Sequence, residues 1–359
     1  MLYILSLYDK TVARQALGFH DLWLDKPTMR TFDFYPYTGQ HIQAHYHQVG
    51  PDTWSNQDFD VRSGDHGFFV DFPLDTPPAK QANEFRLVLI GGSSAQGWGG
   101  RTNDDMFYRR LEQQVNRLLA ERGRATRLRV INLAMGGAVS YQNFIALNLW
   151  GHRLDPDAIL SFSGFNELLV YSGNRSNLYV FGHYFGGFAL SQRFAESPAW
   201  QKFLARYYPG IFRYSALAQA IRSLDFVDHA ERYYHDYISR FPESEHTRAA
   251  AARFYVHALE SIMRDFPRLP LLLVSQPFNE VRPDYEDFVE MAVQMLKTGA
   301  YSDRLEHLDA YSYWKRNDFF PGSLVDPAHL SNKGHELASD FLAEPVIRLV
   351  SEMEDKRHR

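Results

Sequence analysis

The sequence contains no cysteine. Disulfide bonds, thiolate catalysis and metal sites with cysteine ligands are therefore excluded, and so is a disulfide-linked partner. A chain without cysteine is compatible with the cytosol and with the periplasm.

A surplus of positive charge is also missing. The 38 Lys and Arg residues stand against 43 Asp and Glu, which gives a net charge of -5 and a pI near 6.3. Proteins that bind nucleic acids or anionic membranes usually carry a basic surface. We therefore expect neither as a partner.

The N-terminus lacks the features of a targeting segment. Residues 1–8 are apolar, but no basic residue precedes them, and Asp9 and Lys10 end the run. This fits neither a secretory signal peptide nor a membrane span. We expect a cytoplasmic protein; the alternative is a periplasmic or membrane-anchored protein whose N-terminal segment has been trimmed.

Three regions follow from the pattern along the 359 residues. Residues 1–84 alternate short aromatic pieces with Pro, Gly and Asp, which predicts an irregular extension of edge strands and loops. Residues 85–350 form the main domain, with a helical insertion at about 172–265 that ends in an alanine-rich helix near 244–266, and residues 351–359 are a charged tail. In the extension, His41, His45 and His47 would share one face of a strand, but no carboxylate matches them, so packed or solvated histidines are favoured over a metal site.

Short apolar segments alternate with amphipathic helical segments in the main domain. We expect strands near 85–90, 128–134, 157–163, 269–275 and 305–308, and helices near 105–122, 140–150, 284–297 and 333–352. Glycine or a polar turn follows each of the first four strands, an order typical of parallel βαβ units. Pro345 is expected to kink or split the last helix.

The functional interpretation depends on residues 85–99. Here an apolar strand breaks into Gly91-Gly92-Ser93-Ser94 ahead of a helix, at the sheet edge where α/β proteins usually carry their sites. The lysine of a phosphate-binding P-loop is missing, and the glycines do not have dinucleotide-binding spacing. A nucleophilic serine and a plain Gly/Ser loop both remain open on this stretch alone.

Acyl transfer by a serine needs a base, a group that orients the base, and donors for the developing oxyanion. The other predicted turns supply these groups. Ser93 would attack, His329 would take its proton, and Asp326 would hold the imidazole. The backbone N–H groups of Ser93 and Gly137 and the side-chain amide of Asn166 would form the oxyanion hole.

These residues lie in four blocks that resemble those of the SGNH (GDSL-type) esterases and acylhydrolases. The blocks are Gly91-Gly92-Ser93 with Gly97, Asn132 to Gly137, Gly164-Phe165-Asn166-Glu167, and Asp326-Pro327-Ala328-His329. The likeness covers roughly residues 84–175 and 267–350. It implies a flavodoxin-like three-layer α/β/α sandwich with a mainly parallel five-stranded sheet, and it implies the site roles given above.

Two positions depart from the family pattern, and one neighbour competes for the role of nucleophile. Gly92 replaces the aspartate of Gly-Asp-Ser, and Glu167 replaces the aspartate after the asparagine. Both are supporting positions rather than proton-transfer positions in the family. Ser94 is the rival nucleophile, but counting back from Gly97 favours Ser93.

Rivals also exist for the base and its partner. His335 lies inside the predicted closing helix, where a core or capping role is expected. Asp303 or Asp309 would be an alternative partner for a histidine, but the three-residue spacing from Asp326 to His329 makes that pair the simpler choice.

We therefore expect a serine esterase that acts on O-acyl esters without a metal or cofactor. An O-acetyl group on a carbohydrate is preferred to a long lipid because no continuous apolar stretch indicates an acyl channel. The alternatives are an O-acyltransferase on a cell-envelope polysaccharide, using the same residues, and a non-catalytic glycan-binding module. Gln276 and Pro277 would either line the pocket or form a plain turn.

Overall fold

The computed structural model describes residues 32–35, 39–42, 47–51, 58–168, 245–278, 283–325 and 328–357. The chain divides into two compact units, one of Met1–Phe32 with His183–Pro242 and one of Asp33–Gly182 with Glu243–Arg359. In the first unit only Phe32 is among the described residues, so the account below concerns the second unit. Asp326 lies outside the described residues, as does most of the predicted insertion.

The described part of the N-terminal extension contains four short strands, followed by a 3₁₀ turn at Asp65–Gly67 and an irregular stretch up to Glu84. The strands are β1 (Phe32–Tyr35), β2 (Gly39–Ile42), β3 (His47–Pro51) and β4 (Asp58–Arg62). β1 pairs with β2, and β3 pairs with β4 in the antiparallel sense. The side chains of the three histidines at 41, 45 and 47 lie outside the described residues.

The main sheet has five strands: β5 (Glu84–Gly91), β6 (Arg127–Asn132), β7 (Ala158–Ser163), β8 (Leu271–Ser275) and β9 (Leu305–Leu308). Their order is β6-β5-β7-β8-β9, and every pairing is parallel. This is the flavodoxin-like order, in which the second strand lies outside the first. The predicted fold class is confirmed.

Helices cover both faces of the sheet. They are α1 (Ser93–Gln96), α2 (Phe107–Glu121), α3 (Ser140–Trp150), α4 (Glu245–Asp265), α5 (Pro283–Thr298), α6 (Ala310–Arg316) and α7 (Asn332–Arg357). α2 packs against α7 and β6, whereas α4 packs against α3 and α5. Val88 and Ile90 of β5 join the apolar cluster of α3, α4 and α5, and the alternate residues Leu87 and Leu89 are buried outside that cluster. No described helix is long and apolar enough to cross a membrane.

Two helices differ from expectation, α4 in its place in the fold and α7 in its extent. α4 falls within the predicted insertion, but it is the helix that precedes β8, and it packs in the helical layer of the main sheet. α7 runs five residues beyond its predicted end, is not split at Pro345, and includes part of the predicted tail. Arg124 contributes to that extension because its guanidinium lies 3.2 Å from Glu354 and 2.8 Å from Asp355.

The apolar run of β5 contains one charged residue, Arg86, whose side chain is buried and paired. Arg86 is only 2% exposed. Its guanidinium lies 2.7 Å from Glu84 and donates to the carbonyl oxygens of Pro78 and Leu154, each at 2.8 Å. A buried ion is tolerated when its donors are paired in this way. Arg86 therefore ties the amino end of the sheet to two neighbouring loops, near the end of β5 that is opposite to the Gly/Ser turn.

Candidate active site

The carboxyl edge of the sheet collects the residues that the sequence singles out. Ser93 begins α1 directly after β5, Gly137 follows β6, and Asn166 follows β7. Gln276 follows β8, and His329 precedes α7. Parallel strands end on the same side of a sheet, so segments more than 200 residues apart in sequence meet there.

Ser93 and His329 are in hydrogen-bond contact. The Nε2 atom of His329 lies 2.7 Å from the Oγ atom of Ser93, although 236 residues separate them. Both side chains are half-buried. This is the distance expected between a nucleophile and the base that takes its proton.

The turn that presents Ser93 is closed by Gly97. The N–H of Gly97 donates to the carbonyl oxygen of Ser93 at 3.1 Å, and its φ of +113° lies in the left-handed region. A Cβ atom at position 97 would also lie only 2.4 Å from the Sδ atom of Met106. Glycine is therefore required there both for its backbone conformation and for the space it leaves.

Asn132 fixes the same turn from the end of β6. Its Nδ2 atom donates to the carbonyl oxygens of Ala95 and Gln96, each at 3.2 Å, and its Oδ1 atom accepts the N–H of Ala134 at 2.9 Å. One buried side chain thus joins α1 to the loop that leads to Gly137.

Ser94, the rival nucleophile, is fully buried and makes a different contact. Its Oγ atom donates to the carbonyl oxygen of Ala328 at 2.6 Å. The Nε2 atom of Gln276 donates to both members of this pair, at 2.9 Å to the Ser94 Oγ and 3.0 Å to the Ala328 oxygen. We call this set the Ser94–Gln276–Ala328 clamp. It holds the peptide unit that precedes His329.

The sequence does not predict the clamp. Gln276 is expected either to line the pocket or to form a plain turn, and Ser94 is considered only as a nucleophile. A polar residue directly after a buried strand is a signal for a site at that edge, but it does not identify the partner.

The segment that carries His329 is a closed turn. The N–H of Val325 donates to the carbonyl oxygen of His329 at 2.9 Å. Asp326 stands between these two residues in the sequence and is outside the described residues. A Cβ atom at Gly99 would lie 2.0 Å from the carbonyl oxygen of Leu330. The glycine-rich segment after α1 therefore packs directly on the backbone next to His329.

Asn166 lies against the backbone that leads into Ser93. Its Nδ2 atom donates to the carbonyl oxygen of Ala138 at 2.8 Å. A Cβ atom at position 92 would lie 2.2 Å from the same Nδ2 atom. This contact gives a physical reason for glycine in place of the family's aspartate, because any side chain at 92 would displace the Asn166 amide. Gly137, with φ of +71°, lies in the loop next to Ala138.

Glu167, the second departure, is a buried carboxyl group that joins two elements. It accepts the hydroxyl of Ser140 at 2.7 Å and the N–H of Gly164 at 2.8 Å. Burial raises the pKa of Glu167, and these two hydrogen bonds act in the opposite direction. The side chain thus links the turn after β7 to the first residue of α3.

His335, the rival base, is fully buried between α7 and the segments before α2. Its Nδ1 atom accepts the N–H of Phe107 at 3.2 Å, and its Nε2 atom lies 3.2 Å from the carbonyl oxygen of Trp98. Burial lowers the pKa of His335 to about 4. These contacts require a neutral ring with its proton on Nε2, and they make His335 a core residue.

The alternative partners for a histidine, Asp309 and Asp303, lie at the two ends of the segment that contains β9. The Oδ1 atom of Asp309 accepts the N–H of Ser312 at 3.0 Å and caps α6. Asp303 lies in a short 3₁₀ turn at Ser302–Arg304, before β9.

No protein-family model matches the sequence, and no curated protein matches it. Among solved structures, the chain is similar to a lipase/acylhydrolase from Enterococcus faecalis, with 15% identity over 73% of this chain and 95% of that chain and a TM-score of 0.43. It is also similar to a member of the lipolytic protein G-D-S-L family from Veillonella parvula DSM 2008, with 9% identity, coverage of 72% and 97%, and a TM-score of 0.42.

A third similar structure is the family 3 carbohydrate esterase of Clostridium thermocellum, with 12% identity over 75% of this chain and 98% of that chain and a TM-score of 0.41. Esterases and acylhydrolases, G-D-S-L members included, are therefore among the structures that this chain resembles. At these identities and TM-scores the roles of individual residues rest on the geometry of this chain.

Proposed function

We propose that the protein is a serine esterase of the SGNH type that cleaves O-acyl esters through an acyl-serine intermediate. The observation that carries the proposal is the 2.7 Å contact between the Ser93 Oγ and the His329 Nε2. It pairs a half-buried hydroxyl at the start of α1 with a base at the same edge of the sheet. Ser94 is not a candidate because its hydroxyl is buried in the clamp.

In the proposed reaction His329 Nε2 accepts the proton of Ser93 as the Oγ attacks the ester carbonyl carbon. The carbonyl oxygen becomes an oxyanion, which accepts hydrogen bonds from the backbone N–H groups of Ser93 and Gly137 and from the amide of Asn166. The carbon–oxygen bond to the alcohol then breaks, and His329 returns the proton to the leaving oxygen. A water molecule then attacks the acyl-serine in the same way, with His329 as the base, and the acid is released as Ser93 recovers its proton.

Asp326 is proposed to orient His329. The Nε2 atom of the ring faces Ser93, so an orienting carboxylate would bind at Nδ1. The support for Asp326 is its place in the sequence, three residues before the histidine and between the two residues of the Val325–His329 hydrogen bond.

The proposed substrate is an O-acetyl ester, with a carbohydrate as its alcohol part. The sequence supports this preference through its aromatic N-terminal extension and helical insertion, and through the lack of a continuous apolar stretch that would form a long acyl channel. Acyl transfer to a cell-envelope polysaccharide would use the same residues and is the second candidate.

Covalent labelling tests the proposal directly. A fluorophosphonate probe is expected to label wild-type protein and the Ser94→Ala variant at Ser93, and to leave Ser93→Ala unlabelled. p-Nitrophenyl acetate should be turned over faster than longer esters, and Ser93→Ala should lose turnover by a factor of about 10³ or more. Unchanged turnover in Ser93→Ala would exclude Ser93 as the nucleophile.

A folded wild-type protein that neither labels nor turns over esters would favour the glycan-binding alternative. Product analysis with water and with sugar acceptors separates hydrolysis from transfer. Free acid as the main product is the outcome expected of the esterase, and acylated sugar is the outcome expected of the acyltransferase.

A further inference from the structure

The indole ring of Trp98 contacts the imidazole of His329. The centroids of the two rings are 5.6 Å apart, and the ring planes are inclined by 32°. Trp98 comes directly after Gly97, the last glycine of the first block, and it has no role in the resemblance described above. Its side chain is half-buried at the same edge of the sheet.

Two hydrogen bonds hold Trp98 in this position without any substrate. The indole Nε1–H donates to the Oε1 atom of Gln96 at 2.9 Å, and Gln96 is only 1% exposed. The carbonyl oxygen of Trp98 lies 3.2 Å from the Nε2 atom of the buried His335. Both the side chain and the backbone of Trp98 are therefore anchored to buried groups.

The loop next to Gly137 is built around the same pair of side chains. A Cβ atom at Gly136 would lie 3.2 Å from the Gln96 Oε1 and 3.6 Å from the Trp98 Nε1. Trp98 thus fills the space between the proposed base and the loop of the proposed oxyanion hole. A side chain that is hydrogen-bonded to Gln96 and packed beside Gly136 has little freedom to leave the imidazole.

We propose that Trp98 is a positioning residue that fixes the imidazole of His329 and stabilises the imidazolium formed during acylation. The inference rests on the proposed function, in which His329 takes the proton of Ser93. An aromatic face attracts a cation within about 6 Å of its centroid. In the proposed reaction His329 is neutral before the attack and charged in the transition state. The attraction is therefore stronger in the transition state than in the complex with bound substrate, and it lowers the barrier between them.

Substitution of the indole should therefore reduce kcat more than it changes KM. Trp98→Leu is expected to lower kcat by about 3- to 30-fold, with a change in KM of less than about threefold. Trp98→Phe keeps a smaller aromatic face and should retain part of the lost rate. Trp150→Phe is the matched control, because Trp150 also contacts a histidine, His66, at 5.2 Å, but on α3 and outside the site. Its kcat should match that of the wild type.

Fluorinated tryptophan separates electrostatic support from packing. Replacing all 6 tryptophans with 4,5,6,7-tetrafluorotryptophan weakens the negative face of each ring while nearly preserving its shape. Fluorination should lower kcat in wild-type protein and in Trp150→Phe, and leave the residual kcat of Trp98→Phe unchanged. This comparison remains informative even where Trp98→Leu fails to fold.

The outcomes separate this inference from the proposed function. If wild-type protein labels at Ser93 and turns over acetate esters but neither Trp98→Leu nor fluorination lowers kcat, the role of Trp98 is wrong and the esterase proposal stands. A loss of kcat on fluorination that is equally large in Trp98→Phe would also exclude Trp98 as its source. If wild-type protein neither labels nor turns over esters, both proposals fail.

Discussion

The hydroxyl of Ser94 donates a 2.6 Å hydrogen bond to the carbonyl oxygen of Ala328. The neighbour of the proposed nucleophile thus holds the neighbour of the proposed base, across 234 residues of sequence. The two adjacent serines have different contacts. Ser93 is hydrogen-bonded to the imidazole of His329, and Ser94 is hydrogen-bonded to the backbone of the turn that contains His329. Four predictions follow from this arrangement and from the buried groups around it.

Loss of the Ser94 hydroxyl should impair the reaction without removing its chemistry. In Ser94→Ala the Gln276 amide keeps its bond to Ala328, but the turn before His329 is held by one donor fewer. We expect a stability loss of about 1 kcal/mol and a several-fold decrease in kcat with little change in KM. Denaturant unfolding and steady-state kinetics measure the two effects.

Ser161→Ala is the control for this substitution. Ser161 is a buried serine in the middle of β7, hydrogen-bonded to Ser163 at 2.8 Å. It should cost similar stability and leave kcat unchanged. An equal loss of kcat in both variants would mean that general destabilisation, and not the clamp, is responsible.

A side chain at position 92 should act through Asn166. In Gly92→Ala the new Cβ atom would occupy the place of the Asn166 Nδ2 atom, so the amide must rotate away from Ala138. Removal of one oxyanion donor typically costs 10²–10³ in kcat, and we expect a loss of at least about tenfold.

A double-mutant cycle tests that route. If Gly92→Ala acts by displacing the amide, it should add little to the loss already caused by Asn166→Ala. Multiplicative losses in the double variant would show that Gly92 matters for a different reason.

The stability of wild-type protein should depend on pH differently from the stability of the Glu167→Gln variant. The pKa of Glu167 is raised in the folded state, so its stabilising contribution is fully present below the unfolded value of 4.5 and is lost as pH rises through the raised pKa. Glu167→Gln cannot titrate. The free energy of unfolding of the variant, relative to wild type, should therefore increase between pH 4 and pH 7, and parallel curves would contradict the buried-carboxyl assignment.

His335 should make the free energy of unfolding change with pH in the direction opposite to that caused by Glu167. Its pKa is about 4 in the folded protein against 6.5 for an unperturbed histidine, so between these values the unfolded chain binds a proton that the folded chain does not. Stability should fall as pH decreases from 6.5 to 4, by up to about 3 kcal/mol from this residue. Urea unfolding of wild type and His335→Gln between pH 4 and pH 6.5 measures this loss of stability, because glutamine does not titrate. Equal pH dependence in both proteins would refute the assignment of the loss to His335.

The sheet is the part of the fold that local sequence predicts well. The three central strands β5, β7 and β8 lie where short apolar runs end in glycine or polar residues, because a central parallel strand is buried on both faces and requires such a run. α4 was predicted as a helix near 244–266, but it was assigned to the insertion because an alanine-rich pattern does not show which surface a helix covers. α6 was not predicted, because a seven-residue helix is too short to produce a clear period.

The sequence by itself determined the chemical groups and the side of the sheet on which they lie, because each follows a parallel strand or precedes the last helix. The sequence also favours Ser93 over Ser94 and His329 over His335 by their positions in the chain, but it names no contact for any of them. Only the tertiary structure decided what each of these side chains contacts. Their hydrogen-bond partners come from remote elements, and the distances to those partners determine which hydroxyl meets a base and which histidine is buried and neutral in the core.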